Sequence, residues 1–161
     1  MIFLEEKASK DEKKVTEKNH AYSVKVVLIE DRVGDLILED KQKPIIQVAT
    51  PPEFPGGKEG IHSPEDLFVA AVASCKMTTF CAMAEKLDLE LLHLRIDATG
   101  YLGKGEERGL AFKKIDVHMS IGIDSEQSEK SAEKCVDLTR KYCLITNSVK
   151  CPVNLEYEIS S

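Results

Sequence analysis

The segment HSPEDLFVAAVASC, residues 62–75, decides the fold of this chain. Ser63 is a residue type that caps helix N-termini, and Pro64 suits the first helical position, where a missing N–H costs nothing. Asp66 stands three residues after Ser63 and predicts a variant capping box. The next two turns present no polar face, which is typical of a helix buried on all sides. We therefore expect a central helix from residue 64 to about residue 87, about 35 Å long.

Composition places the chain among ordinary globular proteins. Its 161 residues carry 28 acidic and 22 basic side chains, and the net charge of -6 disfavours nucleic-acid and anionic-membrane binding. We predict a charged N-terminal arm over residues 1–20 and a single domain over residues 21–161. No run approaches the roughly 18 uninterrupted apolar residues of a membrane span, and the N-terminus lacks the apolar core of a secretion signal. An odd number of cysteines, five, favours a reducing, cytoplasmic setting.

Hydrophobic periodicity predicts an α+β protein built around the central helix. The predicted strands are residues 21–30, 36–38, 44–48, 90–101, 110–123 and 152–159, and a second helix is predicted from residue 126 to about 142. Three prolines and three glycines exclude a regular element from residues 50–60, which we expect to be a rigid connector.

The cysteines are the remaining candidates for chemistry. Neither a Cys-x-x-Cys nor a His-x-x-x-His pair is present, so we expect no metal site, and no glycine motif for a nucleotide cofactor has the required spacing. Cys75 and Cys81 lie six residues apart, about 600° of helix rotation, and point to different sides of the central helix. On the residues alone, each cysteine is either a core side chain or a reactive thiol.

Three segments resemble one known family. They are SPEDL and AAVASC within residues 63–75, CLITNS at residues 143–148, and the glycine pair of Gly56-Gly57-Lys58 ahead of the helix. Together with the order of elements, they are similar to the OsmC/Ohr family of bacterial and archaeal organic hydroperoxide reductases, over about residues 21–159. The resemblance implies an OsmC-like α+β fold, in which antiparallel sheets wrap around a long central helix within an intertwined homodimer.

The resemblance also implies roles for the thiols. Cys75 matches the peroxidatic cysteine and Cys143 the resolving cysteine of a thiol peroxidase, which acts on an organic hydroperoxide and is reduced again by a dithiol. Cys81, Cys135 and Cys151 have no counterpart in the family, and we expect them in the core.

A second family feature is an arginine–glutamate pair that supplies charge to the thiolate. Glu65 stands at the family's glutamate position, although an acid in the first turn also suits the helix dipole. In one branch of the family the arginine precedes the glycine pair, where this chain has Glu53 and Phe54. In the other branch it lies in the first hairpin, where Arg32 matches it and is otherwise an ordinary turn residue. This departure leaves a second function open, a non-catalytic module that binds a small apolar ligand on the same dimeric scaffold.

Helix geometry relates Glu65 to Cys75. Ten residues on one helix place the two about 15 Å apart along the axis and about 80° apart in rotation, beyond the reach of a glutamate side chain. If both belong to one site, Glu65 comes from a second copy related by a two-fold axis. We therefore predict an obligate homodimer with two composite sites, and no nucleic-acid or membrane partner.

Overall fold

The described part of the chain folds into two three-stranded sheets and three α-helices. The computed structural model describes residues 20–106 and 109–161. The predicted arm over residues 1–20 lies, except for His20, outside the described residues. In chain order the elements are β1 (Val24–Glu30), β2 (Val33–Leu38), β3 (Ile46–Ala49), α1 (Pro64–Lys86), β4 (Leu91–Lys104), β5 (Leu110–Ile123), a 3₁₀ turn (Glu126–Ser128), α2 (Glu129–Tyr142), α3 (Leu144–Ser148) and β6 (Val153–Ser160).

The N-terminal sheet is an antiparallel meander with β2 in the middle. All seven residues of β1 are exposed, and among them Leu28 keeps 69% of its surface accessible. Neither face of β1 is therefore covered by the residues of the chain that the structure describes. The sheet joins the rest of the molecule through a bridge between Val48 and His62, where the Ala49 N–H donates to the His62 carbonyl at 2.9 Å.

The C-terminal sheet has the order β4-β5-β6. Strands β4 and β5 form a long antiparallel hairpin, but β6 pairs with β5 in parallel, from Ile115 opposite Val153 to Gly122 opposite Ser160. The expectation of purely antiparallel sheets is therefore wrong for this pair. The connection from β5 to β6 runs through α2, and such a helical crossover returns the chain in the same strand direction.

Helix α1 begins as its sequence predicts and ends one residue earlier than expected. The Ser63 hydroxyl accepts a hydrogen bond from the Asp66 N–H at 3.0 Å, and the Asp66 carboxylate accepts one from the Ser63 N–H at 2.9 Å. These two bonds form the capping box. Hydrogen bonding to Ser63, first to its backbone and then to its side chain, lowers the pKa of Asp66.

One face of α1 is buried and another is exposed within a single chain. The helix packs against β4 and α2, while the N-terminal sheet makes at most a few contacts with it among the described residues, so the expected wrapping by both sheets is not complete within one chain. The buried stripe consists of Val72, Lys76, Phe80, Met83 and Ala84. The exposed stripe consists of Asp66, Ala70, Ser74, Met77 and Thr78. The expectation of burial on all sides is thus wrong for an isolated chain.

By length and composition alone, α1 could cross a membrane. The core helix of a soluble protein meets the same criteria, because both must present apolar side chains on most faces. The packing of α1 against β4 and α2 is that of a core helix.

Helix α2 buries one stripe of its side chains in the core. Ala132, Cys135, Val136 and Thr139 are buried, as is Cys143 directly after the helix. Tyr142 is half exposed, because the helix ends there and the chain turns so that Cys143 faces inward. Of the three cysteines expected in the core, Cys135 is buried, whereas Cys81 and Cys151 are only partly buried.

Candidate active site

Cys75 lies midway along α1 and faces the chain that leaves α2. Its half-buried Sγ accepts a hydrogen bond from the backbone N–H of Ile145 at 3.5 Å and lies 4.0 Å from the Thr79 hydroxyl. Ile145 is the second residue of α3 and stands two positions after Cys143. The packing of α1 against α2 and α3 therefore brings the two predicted thiols into one neighbourhood.

Cys143 occupies the junction between α2 and α3. Its fully buried Sγ accepts a hydrogen bond from the Thr146 hydroxyl at 3.1 Å. Burial raises the pKa of the Cys143 thiol, but hydrogen bonding to Thr146 and Cys75, with the nearby charge of Lys76, outweighs it and leaves the pKa below its ordinary value. Both cysteines are free thiols. The junction thus holds a fully buried thiol in the neighbourhood of a second, more accessible one.

Lys76 is the charged member of the buried stripe of α1. It keeps only 1% of its surface exposed, between Val72 one turn before it and Phe80 one turn after it, both fully buried. Burial lowers the pKa of Lys76, and the neighbouring Cys143 and Cys75 oppose that effect in part. Burial thus disfavours the charged form of Lys76.

Arg32 and Glu65 lie together at a different place from their own chain's thiols. Both line a cavity of about 830 Å³ between the N-terminal sheet and the start of α1. The Arg32 guanidinium donates to the Pro55 carbonyl at 2.6 Å, and its side chain packs beside Gly56. Among the described residues, Glu65 Oε2 is the only buried side-chain nitrogen or oxygen without a hydrogen-bond partner.

The connector between β3 and α1 shapes this cavity. As predicted, residues 50–60 consist of turns, and Gly56 adopts φ +79°, in the left-handed region that favours glycine. Pro51 and Phe54 supply apolar walls, whereas Glu53, at the position where one family branch has arginine, is exposed. The cavity combines an apolar lining with one arginine and one carboxylate.

Two residues near the thiols carried no functional role in the sequence analysis. Lys76 is one, and its signal was a single charge inside an otherwise apolar helix, four residues from an apolar neighbour on either side. Thr146 is the other, three residues after Cys143 in the segment CLITNS. Only the packing of α1 against α2 and α3 brings the thiols themselves together.

A known protein-family model matches the part of the chain that contains the thiol site. The family model described as OsmC-like protein matches residues 56–158, which contain α1, both thiols and the C-terminal sheet up to the last two residues of β6. The chain belongs to the OsmC-like family. This confirms the family and the two-sheet α+β fold expected from the sequence.

Individual OsmC-like relatives and fold neighbours agree with this assignment. An uncharacterized protein of Methanocaldococcus jannaschii is 30% identical over 101 residues, which are 61% of this chain and 51% of the relative. The chain thus spans about half the length of that relative. An OsmC-like protein of unknown function from Vibrio cholerae superposes with a TM-score of 0.78 at 23% identity, over 87% of this chain and all of that one.

A third neighbour carries a functional name. An organic hydroperoxide resistance protein from Elizabethkingia anophelis superposes with a TM-score of 0.71 at 15% identity, over 90% of this chain and 99% of that chain. At such low identity the likeness establishes the fold alone. The OsmC-like fold of this chain is therefore shared with proteins named for resistance to hydroperoxides.

Proposed function

We propose that this protein is a cytoplasmic thiol peroxidase that reduces organic hydroperoxides, with Cys75 as the peroxidatic and Cys143 as the resolving cysteine. The observation that carries the proposal is the hydrogen bond from the Ile145 N–H to the Cys75 Sγ, next to the buried Cys143 thiol with its lowered pKa. Two free thiols that share one neighbourhood in this way are the minimum that a two-cysteine mechanism needs.

The reaction begins at the more accessible sulfur. The Cys75 thiolate attacks one oxygen of the O–O bond, an S–O bond forms and the sulfur is oxidised to a sulfenic acid. The O–O bond breaks, and the alkoxide takes a proton and leaves as the alcohol. The Cys143 thiolate then attacks the sulfenic sulfur, the S–S bond forms, and hydroxide leaves with a proton as water. A dithiol reductant reopens the disulfide by two exchange steps.

The proposed enzyme is a homodimer in which α1 of one chain crosses α1 of the other in antiparallel orientation. A two-fold axis near Ala70 sets Glu65 of each chain opposite Cys75 of its partner, because both are five residues from that point. Ala70 and Ser74 are small and exposed, and the Ser74 hydroxyl already donates to the Ala70 carbonyl at 2.7 Å. This face of α1 therefore needs no polar partner.

In this dimer, the cavity that Arg32 and Glu65 line would form part of the substrate-binding site. The partner's thiol would complete its polar end, and the apolar walls would receive the organic part of the hydroperoxide. The buried, unpartnered oxygen of Glu65 supports this arrangement, because a carboxylate oxygen out of contact with water needs a cation or a donor beside it.

Peroxide consumption coupled to a dithiol reductant tests the proposal. We expect Cys75→Ser to abolish turnover, and Cys143→Ser to permit a single oxidation that traps sulfenic acid at residue 75 and proceeds to sulfinic acid under excess peroxide. Cys81→Ser is the matched control on the same helix and should retain turnover. Peptide mapping after mild oxidation should find Cys75 linked to Cys143.

The competing function is a non-catalytic module for a small apolar ligand. Wild-type protein that consumes no hydroperoxide, together with a disulfide map in which Cys75 and Cys143 stay free, would reject the peroxidase and favour the binding module. Equal loss in both serine variants without a trapped intermediate would reject the assigned order of attack.

A further inference from the structure

Several helical hydroxyl groups in the described part of the chain bond to the backbone one turn back. Serine and threonine side chains within helices commonly reach the carbonyl of residue i−4 in this way. Four of them donate to that carbonyl: Ser74 at 2.7 Å, Thr78 at 3.1 Å, Thr139 at 2.7 Å and Ser148 at 2.8 Å. The Thr146 hydroxyl of α3 instead donates to the Cys143 Sγ, three residues back, at 3.1 Å. This hydroxyl is therefore directed at a thiol and not at the helix backbone.

The sulfur that accepts this hydrogen bond is cut off from solvent. Cys143 keeps none of its surface exposed. A thiolate in such a place is disfavoured unless hydrogen-bond donors of the protein replace its hydration. Within residues 20–106 and 109–161, the Thr146 side chain is the one hydroxyl that donates to the Cys143 sulfur. Its position thus meets the main requirement of an ionised Cys143.

Cys135 of α2 shows the same burial without such a donor. It is as fully buried as Cys143, and it too is followed within one turn by a threonine, Thr139. The Thr139 hydroxyl, however, donates to the Cys135 carbonyl at 2.7 Å. Burial raises the pKa of both thiols, but hydrogen bonding, above all from the Thr146 hydroxyl, leaves the pKa of Cys143 below its ordinary value. The direction of one hydroxyl therefore distinguishes the two buried cysteines.

The residue before Thr146 contacts the other sulfur of the site. The Ile145 N–H donates to the Cys75 Sγ at 3.5 Å, and the Thr146 hydroxyl donates to the Cys143 Sγ at 3.1 Å. Two consecutive residues of α3 thus hold one sulfur each, Ile145 through its backbone and Thr146 through its side chain. Only the second of these bonds can be removed by substitution without changing the backbone.

We propose that Thr146 is a positioning residue that prepares Cys143 to close the disulfide before the sulfenic acid at Cys75 is oxidised further. The proposal rests on the proposed peroxidase function and names a further residue for it. Thr146 acts through the Cys143 sulfur, which has released its proton to solvent. That thiolate attacks the sulfenic sulfur of Cys75, the S–S bond forms and the S–O bond breaks, and hydroxide takes a proton from solvent and leaves as water.

Disulfide closure competes with a second oxidation of Cys75. A sulfenic acid that meets another hydroperoxide becomes a sulfinic acid, which ordinary thiols do not reduce. Because the thiolate and not the thiol is the nucleophile, the rate of closure depends on the fraction of Cys143 that is ionised. Thr146 therefore determines how often a turnover ends in overoxidation.

Titration of thiolate absorbance in the reduced protein tests the action of Thr146 on Cys143 without any peroxide. Wild type and Thr146→Val are each titrated with and without Cys143→Ser, so that the difference within a pair isolates the Cys143 step. We expect Thr146→Val to raise this midpoint by about one pH unit, about a tenfold loss of thiolate at lower pH. Thr146→Ser keeps the donor and should stay near wild type. Ser148→Ala removes a hydroxyl of the same helix that contacts no sulfur, and should change nothing.

Oxidation with an excess of tert-butyl hydroperoxide tests the consequence for Cys75. Peptide mass spectrometry measures disulfide and sulfinic acid at residue 75 in each variant. We expect a several-fold larger sulfinic fraction in Thr146→Val, whereas the first equivalent of hydroperoxide, which Cys75 reduces, is consumed as in wild type. Raising the pH above the shifted midpoint should restore the wild-type fraction. A merely structural defect would show neither this recovery nor rescue by Thr146→Ser.

Circular dichroism establishes that each variant is folded, and Thr146→Ala replaces Thr146→Val if valine disturbs α3. An unchanged midpoint in a folded protein without the hydroxyl overturns the proposal. A raised midpoint with an unchanged sulfinic fraction, in a protein that reduces hydroperoxide, overturns it as well. A raised midpoint in a protein that reduces no hydroperoxide would uphold the action of Thr146 on Cys143 and reject the peroxidase separately.

Discussion

A lysine side chain loses most of its hydration when it enters a protein core, and Lys76 pays this cost in the middle of α1. Its neighbours along the stripe, Val72 and Phe80, are fully buried apolar residues. A buried charge carries a desolvation penalty of several kcal/mol, which an apolar side chain of similar volume does not carry.

We predict that Lys76→Met raises the free energy of unfolding at neutral pH. Burial lowers the pKa of Lys76 in the folded chain, so between that value and the ordinary lysine pKa of about 10.4 the unfolded chain binds more protons. Wild-type stability therefore rises with pH through this window, and the advantage of the variant shrinks as the pH approaches 10.4. Urea unfolding at several pH values measures the difference.

Lys86→Met serves as the control for that pH dependence. Lys86 is exposed in the last turn of α1, where it interacts favourably with the helix dipole. Its replacement should cost a few tenths of a kcal/mol and give no gain at neutral pH. A Lys76→Met variant with the same small loss at every pH would contradict the assigned energetic cost of Lys76.

At the scale of elements, the start of α1 shows how strongly local chemistry defines a helix end. The capping box satisfies the N–H groups of Ser63 and Asp66, which a helix N-terminus otherwise leaves without partners. Pro64 follows at the first helical position. Because Glu65 comes next in the chain, the cap also sets the position of a cavity-lining carboxylate.

We predict that Ser63→Ala lowers the free energy of unfolding by about 1 kcal/mol, because the Asp66 N–H loses its acceptor. Ser128 precedes α2 at the same capping position, but its hydroxyl bonds to Asp124 and Ser125 instead of the helix backbone, so its replacement removes no capping bond. Chemical denaturation of both variants measures the difference. A Ser63→Ala variant as stable as the wild type would show that the capping bond contributes nothing measurable.

Features that depend on nearby residues could be predicted from the sequence, whereas features that depend on long-range packing could not. The cap of α1, its length and the alternating strands depend on residues within a few positions of one another, and all were predicted closely. The parallel pairing of β6 with β5 was missed, because strand direction depends on the path of the whole α2 crossover. The burial of Lys76 was missed for a similar reason, since it depends on how α1 packs against α2 and β4.

The thiol site could be predicted from the sequence only in part. Cys75 and Cys143 are distant in the chain, and no local pattern distinguishes them from Cys135. Only the family resemblance singled them out, and the contact between Cys75 and Ile145 depends on how α1 packs against α3. The role of Arg32 stays a prediction, because the thiol that it would activate in the proposed site, Cys75, belongs to a second chain.

At the scale of the whole molecule, residues 20–106 and 109–161 of one chain leave several large apolar side chains exposed. Both faces of β1 are exposed, and so is the stripe of α1 that includes Ala70 and Met77. Such surfaces are typical of a protein that is completed by a partner. The proposed dimer covers them and joins Glu65 of one chain to Cys75 of the other.

Mixing two inactive variants tests the composite site. Chains with Cys75→Ser and chains with Glu65→Ala are refolded together, and each mixed dimer then contains one intact site with Cys75 from one chain and Glu65 from the other. We expect about a quarter of the wild-type peroxidase activity from a random equal mixture, because half the dimers are mixed and half their sites are intact.

The separate variants and the particle mass complete that test. Each variant refolded alone should be nearly inactive, and sedimentation should give a mass near twice the 17.9 kDa of the chain. Activity in Glu65→Ala alone would remove Glu65 from the site. A mixture as inactive as its components would mean that both residues act within one chain.

The exposed β1 strand also affects how a newly made chain behaves before it dimerises. Among the described strands it forms the edge of its sheet, so one row of its backbone N–H and C=O groups has no pairing partner there and can pair with another extended segment. Charged side chains normally discourage such pairing, but β1 (VKVVLIE) carries only Lys25 and Glu30 among apolar neighbours. In the proposed dimer, assembly thus competes kinetically with aggregation each time a chain is made. Rapid capture by a second chain is what protects this strand.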